Sequence, residues 1–108
     1  MTQKLLQINF TITTSTKDYA TMAAPLADPI AKTQGLEWKV WIFNEQNHEA
    51  GGLYLFRDEA SVNAYLHGDI VTNLKKQPTI KDISAKIFDI DETLTQKTRG
   101  PIKHAAAV

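Results

Sequence analysis

The stretch LEWKVWIFNEQNHEAGGLYLF, residues 36–56, decides how this chain folds. Leu36 to Phe43 and Ala50 to Phe56 are two strand-like runs, rich in aromatic and branched side chains, joined by the polar loop Asn44-Glu45-Gln46-Asn47-His48. That pattern predicts a β-hairpin with a longer connection. Toward the N-terminus, Leu5 to Ile12 alternates at period two. Leu6, Ile8, Phe10 and Ile12 point one way and Gln7, Asn9 and Thr11 the other, which predicts a further strand. Between these strands Ser15-Thr16-Lys17-Asp18 reads as a helix start, and Tyr19, Ala23, Leu26 and Ile30 follow at helical spacing. Pro25 and Pro29 predict a kink, or a restart with Pro25 in a first turn, and Gly35 ends the segment. Toward the C-terminus, Asp58 caps a second helix over residues 59–67, stopped by Gly68, and a short helical piece spans 70–75. Residues 80–90 form the last strand. Residues 91–108 are polar and are expected as an arm or a frayed tail.

The order β-α-β-β-α-β is the ferredoxin-like arrangement, an α+β fold whose antiparallel four-stranded sheet carries both helices on one face. At 108 residues the chain holds one domain, read as 1–95, with 96–108 a C-terminal arm or disordered tail.

Counting both faces of the strands has a consequence for assembly. Trp38, Val40 and Ile42 oppose Trp41 and Phe43; Leu53 and Leu55 oppose Tyr54 and Phe56; Ile83 and Ile87 oppose Phe88 and Ile90. Whichever set meets the helices, the other face keeps at least two large aromatics. At about 25 cal/mol per Å² and ~150–250 Å² per aromatic, leaving several in water forfeits several kcal/mol. A small domain has little more stability than that in total. A homodimer with the two sheets face to face, closing a barrel, is therefore expected; cover by the 91–108 arm is the competing explanation.

Composition excludes several function classes. Twelve basic residues balance twelve acidic ones, so charge gives no reason to expect a nucleic acid or an anionic membrane as partner. No apolar run approaches a membrane span and no signal peptide is visible, so a soluble, cytoplasmic protein is expected. The absence of cysteine removes disulfides and thiolate chemistry, though it permits either redox compartment. The five glycines form no nucleotide-binding loop, so no cofactor is expected. His48-Glu49 opens an H-E-x-x-H pattern, but Gly52 occupies the second histidine position, and His67 and His104 stand at unrelated spacings; no metal site is expected.

The remaining chemistry is concentrated on the hairpin. Gly51-Gly52 inside a strand weakens it, and marks a bulge or the close approach of a backbone or ligand. His48 lies in a polar loop, and histidine as a residue type suits acid–base work near neutral pH, although a lone loop histidine is more often simply solvated. Trp38, Trp41, Tyr54, Tyr65 and Phe88 suit a flat aromatic ligand as a group, and core or interface packing singly. Lys39 and Lys86 lie in strand interiors. One that faced inward would need a carboxylate or an anionic ligand.

Gly35-Leu36-Glu37-Trp38-Lys39-Val40-Trp41 and Asn47-His48-Glu49-Ala50-Gly51-Gly52-Leu53-Tyr54-Leu55-Phe56 resemble the YdhR-like mono-oxygenase family. Leu5-Leu6-Gln7, Pro25-Leu26-Ala27, Ala64-Tyr65-Leu66 and Ala85-Lys86-Ile87-Phe88-Asp89 extend the resemblance over roughly residues 4–95. It implies a dimeric α+β barrel and, by similarity to barrel oxygenases, oxidation of phenolic or polycyclic aromatics without metal or flavin. It supplies no established catalytic residues. Our own assignment gives His48 the acid–base role and Asn9 or Lys86 the stabilisation of the substrate anion. Trp38, Trp41 and Tyr54 are the walls, with Tyr65 and Phe88 as further ring contacts.

Three other functions are kept open. A ligand-binding dimer without chemistry retains the pocket. Haem breakdown is suggested by Asn9 on the first strand and His67 on the second helix, but Tyr54 and Phe56 stand where a tryptophan is wanted. A purely structural use of the rings predicts a pocket too small for one.

Overall fold

In a computed structural model, residues 2–102 are described. Strands β1 (Lys4–Ile12), β2 (Leu36–Asn44), β3 (Glu49–Phe56) and β4 (Ile80–Asp89) form one sheet in the order β2-β3-β1-β4. Every neighbouring pair is antiparallel. The helices are α1 (Thr16–Ala23), α2 (Ala27–Ala31), α3 (Glu59–Leu66), α4 (Asp69–Lys75) and α5 (Glu92–Lys97). This is the ferredoxin-like α+β fold expected from the sequence.

Local chemistry sets the boundaries. The Ser15 hydroxyl accepts from the Asp18 amide at 3.0 Å, and Asp58 Oδ1 accepts from the Ser61 amide at 2.9 Å, so α1 and α3 each open on a side-chain cap. The first helical segment is interrupted by a 3₁₀ turn at Ala24–Leu26, with Pro25 in its opening positions. Pro29 falls in the first turn of α2, where a missing amide leaves no broken bond. Gly68 serves as the N-cap of α4 immediately after α3 ends.

Alternation along the strands divides the sheet into two faces. Leu6, Ile8, Phe10, Ile12, Ala50, Tyr54, Phe56 and Ile80 are buried under the helices, where Tyr19, Ile30, Val62, Tyr65 and Val71 meet them. On the open face the paired residues run in rows across all four strands. Trp38, Leu55, Leu5 and Phe88 form one row; Val40, Leu53, Gln7 and Lys86 form the next.

Of the arm or tail expected at the C-terminus, residues up to 102 are described and they include a short helix, while 103–108 lie outside the described residues. Asp91 caps α5 by accepting from the Leu94 amide at 2.9 Å, and the chain beyond it returns to the open face, where Trp38 Nε1 donates to the Pro101 carbonyl at 2.7 Å. The helix escaped the sequence reading because six residues with an exposed Leu94 show no apolar periodicity; the Asp91 cap followed by Glu92 was the available signal. The last strand stops at Asp89, one residue short of the expected end. No helix among the described residues is long and apolar enough to cross a membrane.

Gly51 has a single reason to be glycine. A Cβ there would stand 1.9 Å from the Ile8 carbonyl oxygen on β1, a backbone atom of the central strand pair that cannot turn aside. Gly51→Ala is expected to lower stability by about 3 kcal/mol, read as a shift of the urea midpoint at constant slope.

Candidate active site

On the helix-facing side of β2, parity brings Lys39, Trp41 and Phe43 together, opposite Tyr54, Gly52 and Ala50 of β3. Lys39 is the anomaly. Its Nζ lies 3.4 Å from the Trp41 ring centroid and 4.6 Å from that of Tyr54. Neither the Lys4–Asp89 nor the Arg57–Asp58 ion pair involves it, and no carboxylate of the described residues lies within salt-bridge distance. Gly52 makes this conformation possible, since a Cβ there would meet Lys39 Cε at 2.6 Å. Burial brings the Lys39 pKa down to about 7. The two ring faces return only ~0.5–2 kcal/mol to the ammonium, less than its dehydration costs. The side chain therefore holds a substantial neutral-amine fraction at neutral pH.

One phenol, Tyr54, lies beside this amine and is itself paired with a second. The Tyr65 hydroxyl donates to the Tyr54 hydroxyl at 3.3 Å, and the rings tilt against one another with centroids 5.2 Å apart. Burial pushes the pKa values of both upward, and that of Tyr19 up to about 12, so all three remain proton donors at neutral pH. Tyr19 meets Phe10 and Phe43 edge to face.

Trp41 and Phe43 also form one wall of an apolar groove of about 160 Å³, closed on the other side by Ala20, Ala23, Ala24 and Ala27. These alanines recur at helical spacing along α1, the 3₁₀ turn and the start of α2, and their small side chains leave the space. An enclosed volume of about 150 Å³ suffices for a benzene ring, and this open groove is of comparable size, which speaks against the expectation of a pocket too small for one ring. A second cleft of about 340 Å³ is lined by Tyr65, Ser61, Gln34 and Asp69 among others. It is more polar and does not touch Trp41, which leaves the alanine groove as the better aromatic site.

The residues singled out from sequence distribute over four places. Trp41, Tyr54 and Tyr65 lie in the helix-side cluster. Asn9, Trp38, Lys86 and Phe88 lie on the open face, where Asn9 Oδ1 accepts from Gln7 Nε2 at 2.7 Å and Lys86 is exposed. His48 is exposed at the hairpin apex in a left-handed conformation (φ 52°), and its carbonyl accepts from the Ile12 amide at 2.8 Å. His67 is exposed at the end of α3, Nδ1 toward the Asn63 carbonyl at 2.8 Å. The sheet thus stands between His67 and Asn9, the pair on which the haem reading depended; His104 lies outside the described residues. No three His, Asp or Glu side chains gather as a metal site would require, among the described residues. Sequence reasoning places Tyr19 and Ala23 on a helix face without a role in the site; the i, i+3, i+4, i+7 spacing of alanines 20, 23, 24 and 27 is the signal that marks the groove.

Comparison with known proteins follows the fold. The crystal structure of SnoaB from Streptomyces nogalater, a cofactor-independent oxygenase, superposes with a TM-score of 0.69 at 11% identity, covering 87% of this chain and 98% of that one. NE2512 from Nitrosomonas europaea, a protein of unknown function, gives 0.64 at 20% identity, covering 84% and 91%. A Bacillus cereus protein described as a "Putative Antibiotic Biosythesis Monooxygenase" gives 0.59 at 11% identity, covering 84% and 95%. Identities this low establish a shared fold only. No curated protein matches the chain. A family model does, over residues 5–101, past the point near residue 95 where the sequence resemblance ended. The chain belongs to the family described as "Putative mono-oxygenase ydhR".

Proposed function

We propose that this chain is a mono-oxygenase that oxidises a small hydroxyaromatic compound with molecular oxygen, without metal or organic cofactor, between α1–α2 and the sheet. One observation carries the reading: an uncompensated lysine amine held against Trp41 and Tyr54, beside an apolar groove. A neutral amine accepts the phenolic proton, and the resulting ammonium stabilises the phenolate beside it. Removing the proton makes the ring electron-rich enough to pass one electron to oxygen. The two radicals combine to form a C–O bond at a ring C–H carbon. Loss of that carbon's proton breaks the O–O bond, leaving a carbonyl. One oxygen atom stays in the product and the other leaves as water, so hydroxyarene plus O₂ gives quinone plus water with no external reductant. Tyr54, whose ring centroid lies 4.6 Å from the Lys39 Nζ, is our candidate hydroxyl donor to the developing oxyanion.

Isotope labelling tests this directly. Purified chain, treated with chelator, is expected to take up oxygen with electron-rich hydroxyarenes and to place one ¹⁸O atom from ¹⁸O₂ in the quinone. Binding with the ligand recovered unchanged would favour the non-catalytic reading, and no uptake across a broad panel would reject the oxygenase. We also infer that the open face of the sheet pairs with a second copy of the chain, because Val40 and Phe88 remain 49% and 42% exposed there.

A further inference from the structure

We propose that the substrate is a one-ring hydroxyarene, and that the alanine stripe of residues 20, 23, 24 and 27 sets this limit. The inference rests on the oxygenase reading above and narrows it. The groove holds about 160 Å³, close to the ~150 Å³ that accommodates benzene. A fused second ring would project past Phe43, which is already 47% exposed, into water. Its added apolar area would gain little, because only surface removed from water contributes.

Two features select the hydroxyl. The lining of Ala20, Ala23, Ala24, Ala27, Trp41 and Phe43 offers stacking on Trp41 but no side-chain hydrogen-bonding group other than the indole N–H. Trp41 also carries the Lys39 ammonium, which has no carboxylate of its own among the described residues. An unsubstituted arene leaves that ammonium unpaired, whereas a phenolate pairs with it. Carboxylated rings without a hydroxyl share the charge but cannot supply the electron, so they are expected as inhibitors.

Calorimetric titration and oxygen uptake, run in parallel with 4-methylphenol, hydroquinone, 2-naphthol and benzoate, separate the possibilities. The native chain is expected to bind the one-ring phenols and to oxidise at least one of them, with kcat/KM for 2-naphthol tenfold or more lower. Ala20→Leu and Ala24→Leu, which keep good helix formers on these segments, are each expected to weaken one-ring binding at least tenfold with unchanged circular dichroism. Phe43→Ala is expected to reverse the preference toward 2-naphthol. Binding of one-ring phenols without oxidation of any compound would reject the oxygenase reading and leave the size limit standing. Oxidation of 2-naphthol at or above the one-ring rate would overturn the size limit and leave the oxygenase. No saturable one-ring binding, or none lost in Ala20→Leu and Ala24→Leu, also overturns the inference.

Discussion

Lys39→Met is expected to lower hydroxyarene turnover about 10²–10⁴-fold, the ordinary worth of a positioned general base, and to leave the folded chain more stable below pH 7. The two effects share one cause. In the unfolded chain the amine keeps its proton up to its ordinary 10.5, while burial against Trp41 and Tyr54 lowers the folded value to about 7. Between those values the unfolded chain binds the extra proton. Native stability is therefore lowest below pH 7 and rises as pH increases from 7 toward 10.5. Each pH unit of separation corresponds to about 1.4 kcal/mol. With ~0.5–2 kcal/mol returned by the ring faces, a penalty of a few kcal/mol remains at pH 6. Methionine fills nearly the same space without the charge and removes the penalty.

The tyrosines bound the window from above. Their pKa values are raised, so their contribution to stability is intact below pH 10 and is lost only at higher pH. From pH 7 to 10 the slope of stability against pH is set chiefly by Lys39. Urea midpoints measured across that range should climb in the native chain and stay nearly flat in Lys39→Met. A flat native profile, or a variant that retains the native rate, would remove Lys39 from the mechanism. His48→Ala is a useful companion, because an exposed apex side chain away from the groove should leave the rate close to native.

The difference between these two residues measures what the sequence could convey. Period-two alternation in β1, the polar loop between β2 and β3, and the Ser15 and Asp58 caps are local signals, and they produced the element order and sheet type. Face assignment is also local, which is why Lys39, Trp41 and Phe43 share a side in both sequence and structure. Which of the two sides receives the helices is a tertiary fact, and Lys39 and Lys86 were equivalent until it was known. The alanine groove needs still more, since α1, a 3₁₀ turn and α2 must all pack over one edge strand before four small side chains become a cavity. His48 drew attention for its intrinsic pKa, and intrinsic pKa carries no information about position. Lys39 shows the converse: an ordinary lysine made unusual by where the strand puts it.

The second large effect concerns the open face. Trp38, Leu55, Leu5 and Phe88 form an unbroken apolar row across all four strands. The C-terminal segment covers one end of it, with Trp38 tied to the Pro101 carbonyl and Leu55 only 1% exposed. It does not cover the other end or the adjoining row, for Phe88 and Val40 remain 42% and 49% exposed. Val40 and Phe88 lie on opposite edge strands, so apolar side chains stay uncovered at both edges of the open face. Exposed apolar groups of this kind on one face mark an association surface, and a two-fold pairing would cover both edges on both copies at once. A native dimer is therefore expected in sedimentation velocity at micromolar concentration. Val40→Asp would place a charge at the contact twice, once per copy. An uncompensated buried charge costs about 3–5 kcal/mol, enough to raise the dissociation constant at least a hundredfold and yield monomer. Phe43→Asp is the matched control: a similarly exposed ring on the same strand, facing the helix side. It should remain dimeric. A native chain that sediments as a monomer at tens of micromolar, or a Val40→Asp variant that stays dimeric, would show that the C-terminal segment is all the cover this face requires.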